Sequence, residues 1–138
     1  MDPTAHHFAV TVSNLDRAVA FYRDTLGLDV LSEFSVGGDG FETGVGIDGA
    51  SAEFVHMDAG DARIELVEYT PEGDSRSEGR LNQPGATHLG LEVADLDSVY
   101  ESLPNGVETV AEPQTTESGT RILFVRDPDG TLVELLET

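Results

Sequence analysis

The stretch HLGLEVADLD at residues 88–97 decides the fold, because a close version of it, HFAVTVSNLD, also occurs at residues 7–16. Both stretches open with a histidine, alternate apolar residues with small or polar ones, and end in Leu-Asp. This alternation is typical of a half-buried β-strand. A repeated strand of this kind predicts two copies of one structural module, which are expected to pair because neither buries its apolar face alone.

After its first strand, the first copy is predicted to form a helix. Asn14 or Asp16 can cap the start of this helix, its apolar residues recur at helical spacing, and Gly27 ends it. Residues 28–34 are expected to form a second strand. The glycine-rich stretch at 36–51 is expected to be a loop or a broken sheet edge.

Two further strands complete the first module. AEFVHM (52–57) and ARIELVEY (62–69) have the composition of strands and are joined by turn residues. The first module, of order β-α-β-β-β, therefore covers about residues 5–70. A polar segment punctuated by glycine and proline follows at about 71–86 and is interpreted as a linker or an active-site loop.

The second module is predicted to cover about residues 87–138 in the same order. Its short helix is stopped by Pro104. Strands are expected near 107–111, 121–126 and 131–136, and DPDG forms the turn between the last two. The chain of 138 residues has the length of a single domain, so residues 1–138 are predicted to form one α+β domain.

The composition excludes several classes of protein. The chain has no cysteine and no lysine, which rules out thiolate nucleophiles, iron–sulfur clusters, Schiff-base chemistry and a P-loop. With 27 acidic and 7 basic residues the formal net charge is −20, so nucleic acid and anionic membranes are poor partners. We expect a cytoplasmic protein, since no signal peptide or long apolar segment is found. The charge favours an organism that lives in high salt, where screening suppresses self-repulsion.

The segment GVGIDG at 44–49 matches the glycine pattern of dinucleotide-binding turns. That pattern has meaning only when it follows an apolar strand and opens a helix. Neither condition is met here, so the segment is interpreted as a loop and no nucleotide cofactor is expected.

The alternation within the strands places chemically active residues on one face. In the first strand of each module the apolar residues share the face that the helix must cover, which leaves His7 and His88 on the open face. In the last strand of each module, the same reasoning leaves Glu65 and Glu134 on the open face. Two imidazoles and two carboxylates on a common face predict a site for one divalent ion, whether Zn, Ni, Co, Mn or Fe.

Other polar residues fit this face less well. His6 has the parity of the helix-covered face, and His56 lies in a middle strand without a counterpart in the repeat, so neither is predicted to bind metal. Glu92 has the right parity and competes for a ligand place. Glu68 and Glu137 have the parity of the helix-covered face and are not predicted to bind metal.

The chain resembles the vicinal oxygen chelate superfamily, which includes glyoxalase I, methylmalonyl-CoA epimerase, extradiol dioxygenases, fosfomycin-resistance enzymes and bleomycin-binding proteins. HFAVTVSNLDRAVAFYRDTLGLDV is similar to the opening of that family and RIELVEY to its mid-chain ligand strand. THLGLEVADLD is similar to its second module and FVRDPDGTLVELLE to its closing hairpin. The resemblance implies sheets that curve around a metal cup. It places the metal ligands on His7, Glu65, His88 and Glu134, which parity also selects.

The resemblance further implies a glyoxalase-like lyase or isomerase that acts on a small vicinal-oxygen substrate, because two His with two Glu is similar to the glyoxalase I ligand set. The alternatives are a methylmalonyl-CoA epimerase-like isomerase, an extradiol-type dioxygenase and a non-catalytic protein that binds a small molecule such as an antibiotic. Epimerases usually carry a further acid–base glutamate where this chain has Asp48-Gly49-Ala50. The dioxygenases typically use two His and one carboxylate, and the binders generally lack the ligands.

Family resemblance also implies a homodimer, in which an exposed module edge is paired. The sequence leaves open whether one site draws its ligands from one chain or from two. In a glyoxalase-type reaction, removal of a proton beside a carbonyl creates an enediolate whose charge the ion stabilises. The resemblance suggests that a ligand glutamate leaves the ion to take this proton, so the base is predicted to be Glu134 or Glu65. Glu134 is favoured, and Glu92 and Thr11 have the parity to assist.

Overall fold

The computed structural model describes residues 1–76 and 79–138, and the chain divides into two compact units, Met1–Arg76 and Ser77–Thr138. Each unit contains a four-stranded sheet with helices, so the predicted α+β fold class is confirmed. The elements of the first unit are β1 (His7–Thr11), α1 (Leu15–Ala20), β2 (Val30–Gly37), α2 (Asp39–Val45), β3 (Ser51–Asp58) and β4 (Arg63–Thr70).

The first sheet has the strand order β1-β4-β3-β2. β1 runs parallel to β4, and the other two pairs are antiparallel. α1 contacts β3 and β4, and apolar side chains such as Val10, Met57 and Leu66 are buried in the core of this unit. The alternate residues of β1 are exposed, which agrees with the predicted parity of this strand. We call the sheet face opposite the α1 side the open face.

The first helix begins at a side-chain cap, and the cap is Asn14 instead of Asp16. Its Oδ1 accepts a hydrogen bond from the backbone N–H of Arg17 at 3.0 Å. Asn14 has the extended backbone of a capping residue, whereas Asp16 lies inside the first turn. The helix continues as a π turn at Phe21–Thr25 and ends, as predicted, at Gly27, whose φ of 79° is in the left-handed region.

The second unit repeats the pairing pattern of the first. Its elements are β5 (Leu89–Glu92), α3 (Leu96–Ser102), β6 (Gln114–Thr115), β7 (Arg121–Arg126) and β8 (Leu132–Glu137). The strand order is β5-β8-β7-β6, with β5 parallel to β8. α3 contacts β7 and β8. DPDG forms the turn between these two strands, as predicted, and Oδ1 of Asp127 accepts hydrogen bonds from the backbone N–H groups of Asp129 and Thr131. None of the helices within 1–76 and 79–138 is long and apolar enough to cross a membrane.

The glycine-rich stretch contains a helix, α2, which corrects the prediction of a loop or broken edge. Its glycines weaken a helix in isolation. However, the ring of Phe41 packs against those of Phe54 and Tyr69 on the open face of the sheet. Tertiary packing therefore outweighs the low helix propensity. The helix ends at Gly46, whose φ is 71°, so GVGIDG closes a helix instead of opening one.

In the described range 79–138, no strand forms at 107–111, where one was predicted. Thr109 makes an isolated bridge to Val125, and the edge strand of this sheet is the two-residue β6. Backbone hydrogen bonds still join the segment to β7. Pro113 has no N–H to contribute to a ladder, which helps to explain why the regular pairing is interrupted before β6.

Candidate active site

Parallel pairing of β1 and β4 brings the first predicted pair together. Ala9 lies opposite Glu65 in the register, and His7 is two residues earlier on the same face. Nε2 of His7 lies 3.5 Å from Oε2 of Glu65. The Glu65 side chain is only 12% exposed and that of His7 is 36% exposed, so the carboxylate lies deeper than the imidazole.

The second predicted pair has the same construction. Gly90 lies opposite Glu134, and His88 directly precedes β5. Nε2 of His88 lies 3.1 Å from Oε2 of Glu134. A Cβ atom added at Gly90 would lie 3.8 Å from that same oxygen, which is an ordinary van der Waals contact. The absence of a side chain at Gly90 therefore leaves space beside the carboxylate.

A third side chain, His56, contacts Glu65, although the sequence pattern does not predict it as part of the site. The antiparallel register of β3 and β4 places His56 opposite Glu65, and its Nε2 lies 2.9 Å from Oε1 of the glutamate. His56 is buried, with 6% of its surface exposed. The sequence places the two residues in neighbouring strands of one hairpin, but only the observed register, in which Asp58 lies opposite Arg63, brings residues 56 and 65 together.

His6, which the sequence pattern also does not assign to the site, lies beside the first pair. Its Nδ1 is 2.8 Å from Nδ1 of His7, and the two rings meet edge to face with centroids 5.1 Å apart. One of the two nitrogens must donate and the other accept. His6 therefore restricts the orientation of the His7 ring, although its strand parity points away from the site.

Two further acids, Glu92 and Glu137, have partners other than the histidines. Glu92 accepts a hydrogen bond from the hydroxyl of Thr138. Glu137 accepts one from the backbone N–H of Leu96 at 3.0 Å, at the start of α3, which agrees with its predicted place on the helix side. Their contacts thus differ from those of Glu65 and Glu134, which each face a histidine.

An aromatic and aliphatic cluster borders the first pair on the open face. Ala52, Phe54 and Val67 are buried there, and Phe41 and Tyr69 pack against them. This apolar border lowers the local polarity beside Glu65, which strengthens electrostatic interactions in its neighbourhood.

The chemistry of the two pairs fits a divalent ion. Imidazole nitrogen and carboxylate oxygen are common ligands for such ions, and atoms bound about 2.1 Å from one ion are about 3.0–3.4 Å apart at octahedral to tetrahedral angles. The separations of 3.5 and 3.1 Å are close to this range. Within residues 1–76 and 79–138, no three His, Cys, Asp or Glu side chains form a group that suits a metal ion.

Comparison with known proteins agrees with this fold. Residues 4–135 match the family model described as the glyoxalase/bleomycin resistance protein/dioxygenase superfamily. A 2-epi-5-epi-valiolone epimerase from Actinomyces sp. is 30% identical over 95% of this chain and 77% of its own length. A probable lactoylglutathione lyase from Synechocystis sp. is 28% identical over 96% of this chain and 93% of its own.

A solved structure gives the corresponding result for the fold. The glyoxalase family protein from Bacillus cereus superposes with a TM-score of 0.84 at 26% identity, covering 96% of this chain and 91% of that one. The family model covers almost the whole sequence, and the repeated modules provide its architecture. The chain therefore belongs to the glyoxalase/bleomycin resistance protein/dioxygenase superfamily.

Proposed function

We propose that this protein is a divalent-metal-dependent lyase or isomerase of the glyoxalase kind. Its substrate is a small molecule with two neighbouring oxygens, and the reaction begins with removal of a proton from a carbon beside a carbonyl. The observation that carries the proposal is the duplicated pair, in which His7 faces Glu65 at 3.5 Å and His88 faces Glu134 at 3.1 Å. A surface role for either pair would not require the same construction twice.

We propose that these four side chains together bind one divalent ion. Two imidazoles contribute neutral nitrogen ligands, and the two carboxylates balance the charge of the ion. When bound, the ion supplies Lewis-acid polarisation of a substrate oxygen. The identity of the ion is left to measurement, since the donor set suits Zn, Ni, Co, Mn and Fe.

We propose Glu134 as the base that accepts the proton from carbon, with Glu65 as the second candidate. The space beside Gly90 supports this assignment, because a substrate carbon has room to approach Oε2 of Glu134 there. Glu92 and Thr11 have the strand parity of the open face and are proposed to assist the base.

The names of the relatives support a reaction of this type. One is named as a probable lactoylglutathione lyase and another as a 2-epi-5-epi-valiolone epimerase. Epimerisation at a carbon beside a carbonyl and glyoxalase-type isomerisation share their first step, removal of a proton from carbon. An epimerase is therefore the second candidate function, and it would use the same carboxylates.

We also propose that the protein is a homodimer. The net charge of −20 supports the proposal that it works in a salt-rich cytoplasm. Mixing His7→Ala/Glu65→Ala chains with His88→Ala/Glu134→Ala chains tests how the sites are built. Sites shared between chains would recover about a quarter of wild-type turnover, because random mixing leaves one intact site in half of the dimers. Sites within one chain would recover none.

The activity itself is tested by a screen of metal-reconstituted protein. The substrates are hemithioacetals of methylglyoxal, an acyl-CoA with an epimerisable carbon, and a catechol. Exchange of the substrate C–H proton with deuterium from solvent is measured alongside product formation, and protein treated with a chelator is the control. We expect metal-dependent exchange with one of the first two substrates. Cleavage of the catechol alone would overturn the proposal, and a metal-free protein that only binds a small molecule would support the non-catalytic alternative.

A further inference from the structure

We propose that His56 is a positioning residue that fixes Glu65, so that Glu65 stays a metal ligand while Glu134 is the carboxylate that moves. This inference rests on the proposed metal-dependent function. It starts from a difference between the two His–Glu pairs, which are otherwise built alike. In the first unit the register partner of the glutamate on β3 is His56, and in the second unit the equivalent residue on β7 is Phe124.

The contact of His56 with Glu65 is a directional hydrogen bond. An ionised carboxylate only accepts hydrogen bonds, so Nε2 of His56 carries the proton and donates to Oε1 at 2.9 Å. In the neutral imidazole the other ring nitrogen, Nδ1, then bears a lone pair. Nδ1 is buried and has no partner among the described residues, which is consistent with the proton residing on Nε2.

The position of His56 is itself restrained by its surroundings. Its ring is buried and meets the ring of Phe34 edge to face, with centroids 5.1 Å apart. A buried ring of this kind has little freedom to change rotamer. Its hydrogen bond therefore fixes one oxygen of Glu65 and leaves the other, Oε2, facing His7 at 3.5 Å.

The second unit lacks this restraint. Phe124 has no hydrogen-bonding group, and its ring packs edge to face on His88 with centroids 5.2 Å apart. It thus supports the histidine of the pair and gives no donor to Glu134. A glutamate that must leave its place to take a proton benefits from this freedom, whereas a permanent ligand benefits from a partner that orients it.

Two substitutions at His56 separate positioning from simple packing. His56→Phe keeps an aromatic ring but removes the donor, and it copies the residue of the second unit. His56→Gln provides an amide N–H able to donate to Glu65. Affinity for Zn²⁺ is measured by competition with a chromophoric chelator, together with the thermal unfolding of the metal-free proteins.

We expect His56→Phe to weaken Zn²⁺ binding about 10- to 100-fold, as is typical when a residue that orients a ligand is lost. His56→Gln should restore most of the affinity. If His56 only fills space, the Phe variant will bind Zn²⁺ like the wild type, or both variants will lose affinity in proportion to their loss of stability. Either result overturns the positioning role.

The reciprocal variant Phe124→His adds a donor opposite Glu134 and keeps His56 intact. We expect it to bind Zn²⁺ at least as tightly as the wild type and to lose kcat while KM is little changed, because the base is now restrained. An unchanged kcat would overturn the proposed division of labour. If the wild-type protein binds no divalent ion, the proposed function is refuted as well. If the wild type binds Zn²⁺ and the His56→Phe variant binds it with the same affinity, the positioning role alone is refuted.

Discussion

Nε2 of His88 lies 3.1 Å from Oε2 of Glu134, although 46 positions separate the two residues in the sequence. The contact exists because β5 and β8 are parallel neighbours in the sheet, and the first unit makes the same contact between His7 and Glu65 through β1 and β4. Neither residue of a pair is close to the other along the chain. Loss of either member should therefore remove one half of the proposed metal site.

Alanine substitution of the proposed ligands should remove the metal. We expect His7→Ala and Glu134→Ala to lose the ion that the wild-type protein holds, measured by elemental analysis after dialysis against trace metal. Glu68→Ala is the matched control, because Glu68 lies on the other face of β4 from Glu65 and should keep full occupancy. Full occupancy in both His7→Ala and Glu134→Ala would reject the assignment.

Glu134→Gln should separate metal binding from proton transfer. The amide keeps the shape and one ligating oxygen but cannot act as a base, so some metal should be retained. Turnover and solvent deuterium exchange should fall by about 10²- to 10⁴-fold, the usual contribution of a general base. Glu68→Gln is the control for a change of charge alone. A Glu134→Gln protein with full metal and undiminished turnover would show that the base lies elsewhere.

The space beside Gly90 should tolerate only a small side chain at this position. A methyl group there makes ordinary contacts, at 3.8 Å, with Oε2 of Glu134 and with the side chain of Leu136. Gly90→Ala keeps these contacts unstrained but places a methyl group where the substrate carbon is proposed to approach, so it should lower turnover by less than a larger side chain does. Gly90→Leu extends further into the same space and should cost about 100-fold in turnover by displacing the carboxylate. Wild-type turnover in both variants would mean that the substrate approaches Glu134 from another side.

Stability should rise with salt. A net charge of −20 repels itself at low ionic strength, and the screening length falls from about 10 Å at 0.1 M to about 3 Å at 1 M salt. We expect the midpoint of thermal unfolding to increase steadily from dilute buffer to molar potassium chloride. Equal midpoints across that range would remove the support for an origin in a high-salt organism.

The cap of α3 should make stability depend on pH. Asp95 accepts hydrogen bonds from the backbone N–H and the hydroxyl of Ser98, and these hold the pKa of its carboxyl below the ordinary value. A group whose pKa is lowered by folding stabilises the protein fully above its unfolded pKa, about 3.9. That contribution is lost as the pH falls through the lowered, folded-state pKa.

Asp95→Asn is the matched variant for this effect, because asparagine also caps helices but carries no charge. The difference in unfolding midpoint between the wild type and Asp95→Asn should be constant near neutral pH and should change only in acid. If the unfolding midpoints of the two proteins differ by the same amount from pH 7 down to pH 2, the charge of Asp95 does not contribute to the pH dependence of stability.

The members of each candidate pair were predictable from the sequence because their positions follow from a strict alternation. A strand turns successive side chains to opposite faces, so the apolar residues of β1 and β8 determine the face of His7 and of Glu134. The caps at Asn14 and Asp95 are similarly local, since a cap contacts residues two or three positions away.

The helix α2 and the hydrogen bond from His56 to Glu65 were decided by the tertiary structure. α2 is weak by its own composition and is stabilised by contacts of Phe41 with residues from two other strands. His56 has no counterpart in the sequence repeat, and its role follows only from its register with Glu65 across the sheet. Local periodicity determined which residues share a face, whereas pairing between segments distant in the chain decided which of those residues touch.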